Sequence, residues 1–394
     1  MDATNPTRMR VGFFLTVTTF WLFTHIYVGW RLVKPSGLAG WRRLAVWGPL
    51  ALSFGLTPAT FFAMSHSGQA FADALQWLGF LSMGLFSLVL VGMWLRDLAW
   101  LALLLVDRVV ATPLRDPARR GFLANALNLG VLAVSGAMAG LGYSQAVQDP
   151  DLEEHEVPVE GLDPALDGFT IVQISDVHVG PTVRGPVLER VVAAINALEP
   201  DLVAVTGDLV DGQVSGIGPH IRALADLRAT HGAFFVTGNH EYYSGWEPWA
   251  KLVQSLGVEV LLDEHRVLDH AGAALIVGGV TDHSAARTQP DHLGDAVLAF
   301  DGAPAGFRLL LAHQPRSYEL ALEAAVDLQI SGHTHGGQYF PFTALIHLAQ
   351  PFSQGLHRVA DRMWLYVNRG TTYWGPPIRL GAPQEITKLV LRRA

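Results

Sequence analysis

The sequence contains no cysteine and few charged residues, which make up 16% of its 394 residues. Without cysteine the chain forms no disulfide and offers no thiolate to a metal ion, so a metal site would need imidazole, carboxylate or amide ligands. Acidic residues outnumber basic ones by 35 to 27. Because a protein that binds nucleic acid carries a basic stripe for the phosphate backbone, nucleic acid is not expected to be a partner.

Charge and tryptophan are unevenly distributed along the chain. Residues 1–150 hold 11 Lys and Arg against 6 Asp and Glu, whereas residues 151–394 hold 16 against 29. Seven of the 11 tryptophans lie in the first 100 residues. This pattern predicts a membrane domain over residues 1–143 and a soluble domain over residues 167–394. Residues 144–166 show no periodicity and are interpreted as a linker.

Four stretches are long and apolar enough to cross a bilayer as helices, which takes about 20 residues. A buried helical bundle of a soluble protein is the alternative, but these stretches lack the polar face of soluble helices. A further apolar run, residues 98–106, is too short to cross alone and is interpreted as a helix that continues the third span into the membrane interface. The four predicted spans are residues 11–30, 44–64, 71–95 and 121–143.

Lysine and arginine predict the orientation of these spans. Four basic residues follow the first span and four lie in residues 106–120, whereas the N-terminal tail contains two and residues 65–70 and 144–175 contain none. The first and third loops are therefore expected in the cytoplasm. Both termini and the soluble domain would then lie on the outer, periplasmic or extracellular, face of a multi-pass protein of the cell membrane. One miscounted helix would reverse this orientation.

In the soluble half, apolar β-rich runs alternate with helical patterns, which predicts an α/β fold with parallel strands. The predicted helices are residues 187–198, 217–227, 248–256 and 317–325. The predicted strands are residues 169–174, 202–206, 233–237, 258–262, 274–279, 308–312, 328–331, 364–368 and 386–391.

Five polar motifs directly follow predicted strands, which is where open α/β sheets bind their ligands. Carboxylates, an amide and imidazoles suit a pair of divalent cations, and neighbouring glycines let the backbone approach the ions. Each motif alone is more often a turn or a satisfied polar pair. The motifs are Asp176-Val-His178, Gly207-Asp208 with Asp211, Gly238-Asn239-His240-Glu241, the single His313, and Gly332-His333-Thr334-His335.

In these five blocks, in this order, the chain resembles the calcineurin-like metallophosphoesterases over residues 167–394. Three further segments resemble the membrane-associated bacterial YkuE-type branch, namely Gly336-Gly337-Gln338, Asn368-Arg369-Gly370 and Pro377-Ile378-Arg379. The resemblance implies a four-layer α/β/β/α sandwich, here preceded by four transmembrane helices, and two divalent metal ions (Mn, Fe or Zn). It also implies the ligands, which are Asp176, His178 and His335 for one ion, Asn239, His313 and His333 for the other, and Asp208 between them.

The resemblance assigns catalytic roles to two other residues. His240 would act beside the phosphoryl group as general acid or charge stabiliser, and Asp211 would orient its ring. Gly212 follows Asp211 where the serine/threonine phosphatase branch has a phosphate-gripping arginine, which argues against a phosphoprotein substrate.

The expected function is hydrolysis of a phosphodiester or pyrophosphate bond in a lipid, an envelope-linked compound or a small molecule. A cytoplasmic-face hydrolase of a UDP-diacylglucosamine-type lipid is an alternative and requires the reversed topology. A non-catalytic membrane sensor that keeps the fold is another. A four-span transporter with an accessory domain is disfavoured because the spans contain few ionisable residues. The oligomeric state and the natural substrate stay open.

Several residues outside the motifs have two interpretations. Tyr242 and Tyr243 would line a substrate cleft or pack in the core, and His283 and Arg287 would contact substrate or lie in a loop. The apolar run 340–348 would be core or a surface that enters lipid.

Overall fold

The computed structural model describes residues 6–64, 66–110 and 116–394, and side chains in α1 are described at residue 12 and from residue 15 onward. The described part of residues 6–146 consists mainly of four long helices. The predicted continuation at residues 98–106 is confirmed, since it belongs to one uninterrupted helix with the third span. The helices are α1 (Pro6–Ser36), α2 (Leu44–Met64), α3 (Ala70–Val110) and α4 (Pro117–Ala146).

Among the described residues, three helical segments are long and apolar enough to cross a membrane, namely Gly40–Met64, Ala70–Val106 and Pro117–Ala146. They contain the second, third and fourth predicted spans. The predicted first span lies within α1 but begins among residues whose side chains are outside the described part. The count of four spans therefore stays a prediction.

The remainder of the chain builds two six-stranded mixed sheets. In the first, the order is β1-β12-β2-β3-β4-β5, and in the second it is β10-β11-β9-β8-β7-β6. The first sheet contains β1 (Asp151–Val159), β2 (Thr170–Ile174), β3 (Leu202–Val205), β4 (Ala233–Phe235), β5 (Val258–Val260) and β12 (Glu385–Arg393). The second contains β6 (Glu264–His270), β7 (Ala273–Gly279), β8 (Phe307–Leu311), β9 (Leu328–Ser331), β10 (Gly355–Arg358) and β11 (Trp364–Val367).

Helices cover the outer faces of both sheets. The predicted helix 217–227 is instead a short α-helix followed by a 3₁₀ segment, Gly218–Asp226, in which Pro219 stands at the start. The α-helices are α5 (Gly185–Ala197), α6 (Val214–Ile217), α7 (Asn239–Ser244), α8 (Trp246–Ser255), α9 (Ala296–Ala299), α10 (Tyr318–Glu323) and α11 (Phe342–Leu345).

Three separate apolar clusters show how these layers stack. One lies between the first sheet and its helices and includes Val203 and Trp249. A second fills the space between the two sheets and includes Leu275 and Phe234. A third joins the second sheet to α9 and α10 around Phe300. Burial on both sides of each sheet explains the near-continuous apolar runs of the central strands. The arrangement is the predicted four-layer α/β/β/α sandwich.

The expectation of a linker over residues 144–166 is wrong, because this segment contains β1. That strand pairs in parallel with β12 along all nine of its residues. Val157 and Val159 enter the core between the sheets, while Glu154 and Glu156 form ion pairs with Lys388 at 3.2 Å and Arg392 at 2.8 Å. An edge strand held by charged pairs lacks the apolar run by which a strand is recognised in a sequence.

The described residues divide into two compact units, one within residues 1–63 and 74–141, the other within residues 64–73 and 142–394. The connection between α2 and α3 thus belongs to the same unit as the sheets. Its Asp73 forms an ion pair with Arg184 at 2.7 Å. Its backbone also lies so close to Gly216 that a Cβ added there would stand 2.0 Å from the carbonyl oxygen of Ser67.

Candidate metal centre

The polar motifs meet because the strands that precede them are neighbours. β2, β3 and β4 run parallel in the first sheet, and β8 and β9 run parallel in the second, so the carboxyl ends of each set lie at one edge. Hydrogen bonds connect the resulting loops, since the N–H groups of Asp176 and His178 donate to the carbonyl oxygens of Gly207 and Asp208, each at 3.0 Å.

The first group of candidate ligands is Asp176, His178 and His335, whose ligand atoms lie within 4.8 Å of one another. Nε2 of His335 lies 3.4 Å from Oδ1 of Asp176 and 3.1 Å from Nε2 of His178. Asp176 and His178 follow β2 of the first sheet, whereas His335 follows β9 of the second, and Asp176 and His178 are buried. The structure thus brings the three residues together, and their assignment to one ion stays a prediction.

The second group is Asp208, His313 and His333. Nε2 of His313 lies 3.1 Å from Oδ2 of Asp208 and 3.2 Å from Nδ1 of His333. Nδ1 of His313 donates to the carbonyl oxygen of Thr206 at 2.8 Å, which leaves Nε2 unprotonated in the neutral ring and free to bind a cation.

Asn239 stands beside this group, and its side-chain oxygen is the strongest sign that the site is built for a cation. That oxygen, Oδ1, is buried and has no hydrogen-bond partner. Leaving a buried carbonyl oxygen unpaired costs about 1–3 kcal/mol, so its position calls for a ligand. An amide oxygen together with carboxylates and imidazoles is a donor set that Mn, Fe and Zn accept.

Asp208 lies between the two groups. Its Oδ2 is 3.1 Å from Nε2 of His313 and 3.9 Å from Nε2 of both His178 and His240. One carboxylate thus contacts both predicted sets of ligands. Its Oδ1 accepts the backbone N–H of His240 at 2.8 Å, which fixes the orientation of the group.

His240 and Asp211 are in direct contact through Nδ1 and Oδ1. Burial lowers the pKa of His240, but the carboxylates of Asp211 and Asp208 outweigh it and raise this pKa to about 9. In the absence of bound cations these carboxylates favour the protonated ring, whose Nε2 is then available as a proton donor. His178, Asp208 and His240 also form a third group within 4.8 Å, so the geometry leaves His240 able to act as a ligand or as an acid.

Asp211 also has a second partner that sequence reasoning missed. Its Oδ2 lies 3.1 Å from Nδ1 of His178. Burial raises the pKa of Asp211, but the two histidines lower it far more, to well below its usual range. The ionised carboxylate therefore lies against a candidate metal ligand as well as the candidate acid.

Five candidate ligands have strained backbones. Their φ angles are positive, between 48° and 71°, a region that residues with side chains rarely adopt. Each such residue costs on the order of 1 kcal/mol or more, and such strain concentrates at functional sites. The five are Asp176, His178, Asp208, His333 and His335.

Two glycines of the motifs are required by close approach. A Cβ added at Gly238 would lie 2.2 Å from Oδ1 of Asp208, and one added at Gly332 would lie 2.2 Å from Oδ2 of Asp176. Any larger residue would therefore push a candidate ligand out of place. This agrees with the expectation that glycines let the backbone approach the ions.

Glu241 is a fully buried residue of the third motif to which the sequence assigned no role. Its carboxylate accepts the backbone N–H groups of Asp208, Leu209 and Gly238 at 2.9, 2.8 and 2.7 Å, and that of Val210 at 3.3 Å. By bonding back to Gly238 it caps the first turn of α7. One side chain thus joins the loops that carry Asp208 and Asn239.

Arg379, noted in the sequence only as part of a motif, is fully buried against His335. Its Nη1 donates to the carbonyl oxygen of His335, and its Nη2 contacts Nδ1 of the same residue, each at 2.9 Å. Because a guanidinium only donates, Nδ1 accepts, and the neutral ring carries its proton on Nε2. For a cation to bind at Nε2 of the neutral ring, that proton would have to move to Nδ1, and the contact between Nδ1 and Nη2 of Arg379 would have to be given up.

The two adjacent tyrosines have different environments. Tyr242 packs inward, and its hydroxyl lies 3.1 Å from that of Thr237 and 2.6 Å from Nδ1 of His292. Tyr243 is 73% exposed, and its ring makes a T-shaped contact with that of His240, with 5.3 Å between the ring centroids. Trp374, which sequence reasoning also missed, lies 5.2 Å from His240. Tyr243 and Trp374 therefore both border the candidate acid.

The remaining open residues lie at the surface. His283 and Arg287 are both exposed, and their contact with substrate stays a prediction. The apolar run 340–348 is not core, since Phe340, Phe342 and Leu345 are exposed and Leu348 is 86% exposed.

Comparisons with known proteins agree on one family. The family model described as calcineurin-like phosphoesterase matches residues 169–337. The "Transmembrane protein with metallophosphoesterase domain" of Danio rerio is 38% identical over 271 residues, 67% of this chain and 62% of that protein. An "Uncharacterized metallophosphoesterase" of Helicobacter pylori is 35% identical over 70% of this chain and 73% of its own length.

A third relative is the "Uncharacterized metallophosphoesterase YkuE" of Bacillus subtilis, which is 30% identical over 71% of this chain and 99% of its own length. The chain spans less than two thirds of the vertebrate relatives, 62% of the Danio rerio protein and 65% of the Bos taurus one.

Proposed function

Since the chain belongs to the calcineurin-like metallophosphoesterases, we propose that it is a membrane-anchored, two-metal hydrolase of a phosphodiester or pyrophosphate bond. The buried, unpaired Oδ1 of Asn239 is the observation that carries this proposal, because the next residue, His240, donates its backbone N–H to Asp208 of the candidate ligand set. Asp176, His178 and His335 would hold one ion, Asn239, His313 and His333 the other, and Asp208 both. When bound, two divalent cations would lower the pKa of a water nucleophile and withdraw charge from the phosphoryl oxygens.

The side chains of the protein would then supply a proton to the leaving group and hold the candidate ligands in place. His240 would donate the proton on Nε2 to the leaving oxygen, and Asp211 would hold the ring in the required tautomer through Nδ1. Glu241 would keep the loops of Asp208 and Asn239 at a fixed separation. Tyr243 and Trp374 would border the leaving group and exclude water beside it.

The exposed apolar run after the last motif supports a lipid or envelope-linked substrate. His335 is followed within a few residues by Phe340, and the exposed side chains of Phe342 and Leu348 belong to the same segment. Monomeric soluble proteins seldom expose contiguous apolar groups of this kind, and a protein anchored in a membrane can use them to meet lipid.

An outer-face location is also proposed. The α2–α3 connection and the sheets belong to one compact unit, so both lie on the same side of the membrane. Residues 65–70 and 144–175 contain no lysine or arginine, which is typical of segments outside the cytoplasm.

Hydrolysis of bis(4-nitrophenyl) phosphate by the detergent-purified chain with added Mn²⁺ tests the enzymatic proposal. We expect turnover in the wild type, its loss in His333→Ala, and full retention in His357→Ala, a histidine outside the metal groups. A metal-loaded wild type with no activity on phosphodiester or pyrophosphate substrates would instead indicate a non-catalytic sensor.

A further inference from the structure

A basic cavity lies among α1, α3 and α4, and none of its residues belongs to the metal centre. Its volume of about 310 Å³ is at the lower end of small-molecule sites. Four cationic side chains line it, together with one tryptophan and small residues of the first turns of α4. The lining residues used below are Arg31, Lys34, Arg96, Trp100 and Arg120.

The positive charge of this cavity is only partly balanced. Asp97 pairs with Arg31 at 2.6 Å and with Arg96 at 2.7 Å. Lys34 and Arg120 have no ion pair recorded among the described residues, although Lys34 lies over the Trp30 ring at 4.7 Å. At the start of α4, Asp116 accepts the N–H of Ala118 at 2.9 Å. The helix terminus is therefore already capped and adds little to the positive charge of the cavity. Four cations therefore line one small space, and among the described residues the carboxylate recorded in ion pairs with them is that of Asp97.

Two buried donors in this region have no partner. Arg96 is only 8% exposed. Its Nη1 donates to Asp97 and its Nη2 to the carbonyl oxygen of Ala124, but its Nε has no hydrogen-bond partner. Nε of Arg31 is buried and unpaired as well. A buried guanidinium N–H without an acceptor is costly, so both groups favour an anion with several oxygens.

The depth of the cavity matches that of lipid headgroups. α3 has 41 residues and is about 62 Å long, twice the thickness of the hydrocarbon core. Arg96 stands roughly 39 Å along α3 from Ala70, which is beyond the core if the span begins there. Trp30 and Trp100 are of the residue type that lies at the interface between lipid and water.

We propose that this cavity binds a phosphate group, and that its ligand in the membrane is the phosphate of an anionic lipid headgroup. Arg31 and Arg96 would each donate from Nε, and Lys34 and Arg120 would neutralise the remaining charge. Basic pockets between transmembrane helices recognise anionic headgroups in this way. The site is independent of the proposed hydrolysis, because it neither shares residues with the metal centre nor requires its activity.

Titration of the detergent-purified full chain with dioctanoyl phosphatidylglycerol, without added divalent cations, tests this inference by native mass spectrometry. The double variant Lys34→Gln/Arg120→Gln removes two cations but keeps the Asp97 pairs. The matched control, Arg42→Gln/Arg43→Gln, removes two cations from the neighbouring turn outside the cavity. We expect the first pair to weaken binding by about 30-fold and the control pair by less than threefold.

Two further arms identify the source of the phosphate. Dioctanoyl phosphatidylcholine, which has the same phosphate but no net charge, should bind much more weakly than phosphatidylglycerol. Competition by millimolar inorganic phosphate, with the same dependence on Lys34 and Arg120, would support the site with free phosphate as its ligand. Lys34→Gln alone serves if the double variant does not fold. Equal losses in the cavity and control pairs, or no binding of either probe, would overturn the proposal.

Discussion

Oδ2 of Asp211 lies 3.1 Å from Nδ1 of His178, so the carboxylate that contacts the candidate acid also contacts a candidate metal ligand. Neutralising Asp211 should therefore affect metal binding as well as proton transfer. We expect Asp211→Asn to lower metal affinity by about 10- to 100-fold, together with activity. Metal titration followed by elemental analysis measures the first effect, with Asp301→Asn at an exposed position as control. Unchanged metal affinity would show that Asp211 serves His240 alone.

Asp208 is the test of the two-ion arrangement. Because its Oδ2 faces both sets of ligands, Asp208→Asn should weaken both ions and abolish turnover. Metal content per chain, measured by elemental analysis beside the hydrolysis rate, checks both parts. A variant that kept two ions and normal activity would contradict the role of Asp208.

His240→Ala separates catalysis from metal binding. If His240 protonates the leaving group, the variant should keep both ions and lose about 10²- to 10⁴-fold in rate. The loss should be smaller for a nitrophenolate leaving group, which needs little protonation, than for an alkoxide. Rates on two esters of different leaving-group pKa, with metal analysis, decide the matter. Release of an ion would instead make His240 a ligand, as the third group of residues permits.

Glu241→Gln should destabilise the catalytic unit rather than alter its chemistry directly. The amide would present an N–H₂ group to backbone N–H donors that now share a carboxylate, leaving at least one of them unpaired. We expect a loss of about 1–3 kcal/mol in the free energy of unfolding. Urea unfolding in detergent measures it, and the exposed Glu323→Gln should be neutral. Equal stability of the two variants would contradict the role of Glu241 in joining the loops of Asp208 and Asn239.

The orientation of the chain is checked by reporter fusions after Ala394. On the outer-face proposal, an alkaline phosphatase fusion should be active and a green fluorescent protein fusion dark. The reverse result would place the metal centre in the cytoplasm and favour a nucleotide-linked lipid as substrate.

The nine strands predicted from the sequence are all present because each is buried enough to need an apolar run. The three that were missed, β1, β6 and β10, each lie at the edge of a sheet. Edge strands have one exposed side and can be held by ion pairs or mixed side chains, so their sequences resemble loops.

The candidate ligands were found because polar residues after strands form a local pattern. The structure brings Asp176, His178, Asp208, His313, His333 and His335 together, with Asn239 and His240 beside them. Arg379 and Trp374 could not be assigned in this way, because they reach the centre from a distant part of the chain. The second contact of Asp211 depends on a side-chain direction that spacing alone does not specify.

The backbone contact between Ser67 and Gly216, with the Asp73–Arg184 ion pair beside it, means that the membrane part is not a detachable anchor. A version of the protein trimmed to its soluble sequence would leave behind ten residues that belong to the catalytic unit. Such a version would expose the backbone of Gly216 to solvent and remove the ion-pair partner of Arg184. Kinetic or structural work on such a fragment would describe a surface that residues 67–73 contact in the intact protein.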